Sequence, residues 1–369
     1  MTSSLQVRYT YLERQYDGLR DEILAAVDGI FRRAAFILRP EVTELEQALA
    51  ARLGAGQAIG VNSGTDALRL GIEALGLPAG AEVITTAHTF VATIGAIVQN
   101  GLKPVLVDIA ADYNIDPAAI EAAVTPRTRA IMVVHLNGRV CRMDRIDTIA
   151  HRHGLNVVED AAQAIDARFR GQAAGTFGRW GAFSLHPMKV LGAAGDAGFL
   201  TTDDDEIADR VRMLRNIGQR QKNVFDGFGY NSRLDTLQAA VCLIKLRLLT
   251  AWVARRRALA TRYHAALSGL NWIVLPPPPS EGEHFDIYSS YVVRSADRAR
   301  LRAHLARAGI ETMIHWSPPL CAQPQLGLVT DGLVTTERFS REVISLPIDP
   351  EMSDGEQDHV IEAILGFAA

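Results

Sequence analysis

The sequence predicts an α/β protein: an open, mainly parallel sheet with helices on both faces, followed by a smaller C-terminal α/β domain. Three observations carry this. From about Leu45 to Asp203, helical patterns alternate with short apolar runs, the signature of strands linked by crossover helices. From Asp235 to about Leu267, apolar residues recur at helical spacing. Pro276 to Pro279 then breaks regularity and opens a loop ahead of the C-terminal part. The expected division is 1–250 for the large domain, N-terminal segment included, and 251–369 for the small domain with its linking helix.

The strand runs are Glu82-Val83-Ile84-Thr85, Pro104 to Asp108, Ala130 to Val134 and Asn156 to Asp160. In such a sheet, ligands bind outside the carboxyl ends of the strands. Arg255-Arg256-Arg257, inside the long helical stretch, reads as a solvated helix face, with phosphate binding the alternative. Arg298 to Gly309 reads as the small domain's helix, and Glu311 to Trp316 as a strand leading to the Pro318-Pro319 loop.

The chain has 369 residues, 48% hydrophobic and 22% charged, the balance of a soluble globular enzyme. A net charge of −4 argues against generic nucleic-acid binding. Cys141, Cys242 and Cys321 are too widely separated for a disulfide framework or a metal-ligand spacing, which fits a reducing cytoplasm. Met1 to Arg20 carries charges throughout, so neither a signal peptide nor a membrane anchor is expected there. No apolar run approaches the roughly 18 residues a spanning helix needs.

Chemistry concentrates on Lys189, set among small and apolar residues in Phe183 to Lys189. Burial disfavours an ammonium ion, so such an amine becomes a nucleophile toward aldehydes. Asp160 ends a buried strand run, where a carboxylate points into the ligand crevice and can pair with a pyridinium nitrogen. In Gly60 to Leu68, small and hydroxylated residues precede a helical pattern, so free amides at a helix start lie beside hydroxyls. That is a phosphate cradle, or an ordinary N-cap. Lysine, acid and cradle together are the handles that pyridoxal 5'-phosphate requires. Gly192, Gly195 and Gly198 follow the lysine and lack the spacing of a dinucleotide fingerprint, which argues against a nicotinamide enzyme.

At Asn62 to Leu68, Thr89 to Thr93, Val134-His135-Leu136, Glu159 to Gln163, Ser184 to Lys189, Gly229 to Asp235 and Gly309 to Thr312, the chain resembles the DegT/DnrJ/EryC1/StrS family of sugar aminotransferases, in family order and over nearly its whole length. Leu191 to Gly198 and Tyr230 to Ala240 look most like members that aminate 3-keto-6-deoxyhexoses on a nucleotide. The resemblance implies fold type I of the pyridoxal-phosphate enzymes, the aspartate aminotransferase-like fold, with the pyridoxamine form of the cofactor arising in turnover. It gives Lys189 the Schiff base and the proton shift, Asp160 the pyridinium proton, Gln163 the cofactor's 3-oxygen and Phe90 the ring face. Gly64, Thr65 and Asp66, with Ser184, would hold the phosphate, and Asn231 would reach the phosphate of the neighbouring subunit. A homodimer with shared active sites follows, acting on a keto-sugar and an amino-acid donor, glutamate or glutamine. His186 is a candidate second proton carrier, or a structural histidine. Arg139, Tyr230 and His315 are candidates for substrate contact.

Three departures fall in regions the family uses for substrate: Asn137-Gly138-Arg139, Ser289-Ser290 where a histidine is common, and Ile314 to Cys321, where Cys321 stands in a histidine's usual place. They leave open a cyclitol ketone, or a phosphorylated or free keto-sugar, as acceptor. Dehydration is disfavoured, because relatives doing that chemistry tend to replace the lysine by histidine. A non-catalytic, cofactor-binding regulator is the alternative from another class.

Overall fold

The computed structural model describes residues 5–328, 330 and 332–368. Residues 1–4 of the expected N-terminal segment and Ala369 of the expected small domain lie outside them. The central sheet has seven strands: β1 (Gln57–Val61), β2 (Glu82–Thr86), β3 (Lys103–Val107), β4 (Thr128–Val134), β5 (Asn156–Asp160), β6 (Gly181–Ser184) and β7 (Gly198–Thr202). Their order is β1-β7-β6-β5-β4-β2-β3. Only β7 runs against the rest, pairing antiparallel with both β1 and β6. The register sets Val134 beside Asp160, and Asp160 beside Ala182.

The interior strands are buried on both faces, which is why they read as unbroken apolar runs rather than alternating ones. Helices α1 (Leu12–Arg33), α2 (Pro40–Leu53), α3 (Gly64–Ala74), α4 (Val91–Gln99), α5 (Pro117–Ala123), α6 (Met143–His153), α7 (Asp205–Arg215) and α8 (Thr236–Leu246) surround the sheet. Leu68, Leu70, Ala96, Ile97, Val211 and Leu214 of α3, α4 and α7 form one core layer. Leu45, Leu49, Ile146, Ile149 and Cys242 of α2, α6 and α8 form the other. Because β1, β2, β4, β5 and β6 run the same way, the segments leaving them all emerge on one rim.

The expected long helix from Asp235 is two helices: α9 (Leu249–Leu267) leaves α8 at an angle of 60°. No proline or glycine marks the break. Tertiary packing makes it, since Cys242 of α8 belongs to the sheet core and Leu259 and Tyr263 of α9 to the C-terminal core. That second core surrounds β8 (Tyr291–Arg294) and β9 (Val343–Leu346), paired antiparallel, with α10 (Arg298–Arg307) and α12 (Asp354–Leu365); α11 (Val334–Glu342) packs nearby. Val7 and Tyr11 join the same core, and Val7 bridges Ile310, so these residues ahead of α1 pack with the C-terminal part. Glu311 to Trp316 forms no strand. Only Met313 bridges Ser345, because the chain turns away at Trp316, whose φ is +60°. Among the described residues no single helix is long and apolar enough to cross a membrane, and no cluster of His, Cys, Asp or Glu could hold a metal ion.

Candidate active site

The rim of the sheet opens into a cavity of about 600 Å³. At the end of β5, alternation sends two adjacent carboxylates to different duties. Glu159 is wholly buried and saturated: the amides of Gly175, Phe177 and Gly178 each donate to it at 2.7 Å, and His135 Nε2 lies at 2.8 Å. The Cys141 amide donates to His135 Nδ1 at 3.2 Å, so the ring proton sits on Nε2 and points at Glu159. This pair is structural.

Asp160 faces the cavity. Thr93 Oγ1 donates to its Oδ2 at 2.7 Å, and the Ala162 amide to its Oδ1 at 3.2 Å. Thr93 has spent its proton there, so Thr89, 2.8 Å away, donates to Thr93. Burial pushes the Asp160 carboxyl up, against these hydrogen bonds and the Lys189 charge. Lys189 lies on the same cavity; burial pulls its amine down, with Asp160 opposing.

The cradle forms where α3 starts. Ser63 caps the helix by accepting from the Asp66 amide at 3.1 Å, leaving the amides of Gly64 and Thr65 without a partner among the described residues. Gly64 is required here: a Cβ on it would stand 2.7 Å from Ser184 Cβ and 3.0 Å from Ser184 Cα. Its bareness brings the helix start and the Ser184 hydroxyl together on one wall. Gln163 Oε1 accepts from the Asn137 amide at 2.8 Å, which fixes the side chain at the cavity edge. Phe90, at the N-cap of α4, is 57% exposed and lies edge-on to Trp316, 6.0 Å between ring centroids.

The cavity is also lined by Tyr9, Arg256, Ser289, Ser290, His315 and Trp316. His315 Nδ1 lies 2.7 Å from Ser345 Oγ; burial, then the Lys189 charge, lowers the ring to about 4, so it is neutral near pH 7. His186 is exposed at the mouth, its Nδ1 accepting from the Met188 amide at 3.3 Å.

The structure thus gathers Lys189, Asp160, Gly64, Thr65, Ser184, Gln163, Phe90, His186 and His315 around one cavity. Four expected residues stand elsewhere in this chain. Asp66 turns to Arg69 at 3.3 Å, so only its backbone serves the helix start. Arg139 is held by Asp112 at 3.1 Å and Asp286 at 2.6 Å, which neutralise it away from the cavity. Tyr230 donates to Glu73 at 2.9 Å, under the Arg69 guanidinium. Asn231 is exposed, its Oδ1 accepting from Arg233 at 2.7 Å.

Arg256 corrects the expectation of a solvated arginine cluster: it is 5% exposed and lines the cavity. The signal was present, since Arg256, Leu259, Ala260, Tyr263 and Leu267 share one buried helical stripe. Arg255 and Arg257, off that stripe, pair with Asp354 and Glu281. Tyr9 has no comparable local signal.

An amine, a buried acid and a phosphate cradle around one cavity suit pyridoxal phosphate and define the class of enzymes that use it. The comparisons agree. The signature of the DegT/DnrJ/EryC1/StrS aminotransferase family matches residues 17–365. A dTDP-3-amino-3,4,6-trideoxy-alpha-D-glucose transaminase of Streptomyces venezuelae is 41% identical over 98% of this chain and 96% of its own. A "pleiotropic regulatory protein" of Geobacillus stearothermophilus is 41% identical over 96% and 97%. The crystal structure of S. venezuelae DesV in complex with a ketimine intermediate superposes with a TM-score of 0.94 at 41% identity, covering 98% of both chains. The chain belongs to the DegT/DnrJ/EryC1/StrS aminotransferase family, and it is a pyridoxal-phosphate-dependent sugar transaminase of fold type I.

Proposed function

We propose that this enzyme moves an amino group from glutamate or glutamine to the C3 keto carbon of a nucleotide-linked deoxysugar, in amino-sugar biosynthesis. The observation that carries the reading is the Lys189 amine and the Asp160 carboxylate on one cavity, each shifted by burial toward its neutral form. The transaminase named for a dTDP-3-amino sugar supports the acceptor class.

Gly64, Thr65 and Ser184 would hold the cofactor's phosphate, Asp160 its ring nitrogen, Gln163 its 3-oxygen, Phe90 its face and Lys189 its aldehyde carbon. When bound, pyridoxal phosphate supplies a carbonyl that captures amines and an electron sink for the adjacent carbanion. The chain's own work is proton handling. Lys189 Nζ, its pKa lowered by burial, takes the proton from the donor's α-carbon; in the second half it delivers one to the sugar carbon that gains nitrogen. Thr93 orients Asp160 and favours its ionised form against the burial that raises its pKa. His186, at the mouth, is a candidate second carrier.

Asn231, exposed on its own chain, would reach the phosphate of a second copy, giving a homodimer with shared sites; three free cysteines fit a cytoplasmic setting. The bend between α8 and α9 supports a division of the chain into 1–250 and 251–369. The relative called a regulatory protein keeps the regulator reading in view. The complete Lys189–Asp160–Thr93 arrangement favours turnover, because a regulator needs no proton carrier. Purified protein should show visible absorption from bound cofactor that glutamate or glutamine bleaches, and Lys189→Ala should abolish turnover. Full transamination in that variant would overturn the assignment.

A further inference from the structure

Arg256 is a buried cation with unused donors on the wall of the active-site cavity. Its Nη1 donates to the carbonyls of Ile348 at 2.5 Å, Tyr288 at 3.3 Å and Ser289 at 3.4 Å. Its Nε has no partner, and Nη2 makes no hydrogen bond among the described residues. No carboxylate pairs with it there; Asp349 offsets its charge only from a distance and accepts instead from the Glu351 amide at 3.0 Å. The Ser289 hydroxyl, on the same wall, also lacks a partner.

Leaving a guanidinium buried with free donors is costly unless an anion completes it, and its planar fork matches a carboxylate. Among the described residues it is the one arginine lining this cavity. It lines the same cavity as His315, whose ring feels the Lys189 charge, and as the cradle at Gly64 and Ser184. The two substrates of the proposed reaction differ here. A keto-sugar presents no charge at its reacting carbon, whereas glutamate and glutamine both carry an α-carboxylate one bond from theirs.

We propose that Arg256 binds the α-carboxylate of the amino donor and thereby sets donor specificity, with Ser289 as a second hydrogen-bond donor. This rests on the transamination reading above. The site takes amino acids by their carboxylate, and the acceptor leaves Arg256 unpaired.

The two half-reactions separate the idea from a merely structural role. With holoenzyme, bleaching by glutamate or glutamine should fall by about 100-fold in kcat/KM in Arg256→Gln, mostly through KM, and by less in Arg256→Lys. The same half-reaction driven by the nucleotide-linked amino sugar should stay within about threefold. In the wild type, the α-amide of glutamate should be a comparably poor donor, and Arg256→Gln should erase the preference for the acid. Glutarate, an unreactive dicarboxylate, should raise the melting temperature of the wild type but not of the variant. Equal losses in both half-reactions, a loss confined to the sugar, or an α-amide as good as glutamate in the wild type would overturn the proposal. A wild type that no amino acid bleaches would instead count against transamination itself.

Discussion

The hydroxyl of Thr93 lies 2.7 Å from Oδ2 of Asp160 and holds its proton toward that oxygen, with Thr89 behind it. A donor so placed stabilises the ionised carboxylate and opposes the burial that would neutralise it. Thr93→Val keeps the shape and removes the donor. The Asp160 pKa then rises further, so a higher pH is needed to ionise it. The acid limb of the kcat profile should move up by about 1–2 pH units, the equivalent of one hydrogen bond to a charged group. Thr93→Ser should restore the wild-type limb; an unmoved limb in Thr93→Val would separate Thr93 from Asp160.

Gly64→Ala should damage the cradle while sparing the fold. The added methyl meets Ser184 Cα, which the sheet fixes, so the start of α3 and the serine hydroxyl must part. Cofactor affinity should weaken by about 1–3 kcal/mol, the usual penalty of overpacking. Equilibrium dialysis of pyridoxal phosphate against both proteins reads it directly.

His88 is buried beside Tyr113, its Nδ1 unpartnered, and burial lowers its ring to about 4 from the ordinary 6.5. Between those values the unfolded chain binds more protons than the folded one, so stability is full above about pH 6.5 and falls as pH drops toward 4. His88 alone should cost about 2 kcal/mol between roughly pH 7 and 5. His315 shares the direction, so the informative quantity is the difference between wild type and His88→Phe in urea melts at the two pH values. Equal pH slopes would show that His88 is not a buried neutral ring.

Asn231→Ala should loosen the cofactor by about 1–3 kcal/mol if a second copy supplies that side chain to each site. Mixing Asn231→Ala with Lys189→Ala subunits should then give dimers in which one site per pair recovers both residues. Sedimentation showing a fully active monomer would rule out shared sites.

Much of the site was legible because strand ends and helix starts announce themselves locally. Asp160 closes an apolar run, Gly64 and Thr65 open a helical pattern, and Lys189 follows the next strand, so all three reach one rim. The positions of Arg139 and Tyr230 were not legible, because their partners, Asp112 and Asp286 for one and Glu73 for the other, are brought by the fold and leave no local pattern. Tyr9 was missed for the same reason: it reaches the cavity from the far end of the chain, and its amide donates to Glu311 at 2.8 Å. Arg256 was readable and misjudged, since three adjacent arginines conceal that only one falls on the buried stripe. The bend between α8 and α9 has no breaker residue and belongs to tertiary packing alone.

Strand β7 runs backwards, so the segment carrying Lys189 leaves the sheet at Ser184 and rejoins it at Gly198 without leaving the mouth of the cleft. The Leu185 amide donates to Ala197 at 2.9 Å and the Ala193 amide to Leu185 at 2.8 Å, which pins both ends of that segment. The lysine is a short arm on a fixed mount. Its amine can swing between reaction partners by turning its own side-chain bonds, with no backbone opening at this end. The rest of the cavity lining includes Tyr9 of the N-terminal segment, Ser289 and Trp316, brought from parts of the chain remote from that mount, so a movement that admits substrate is expected there rather than in the lysine's own segment.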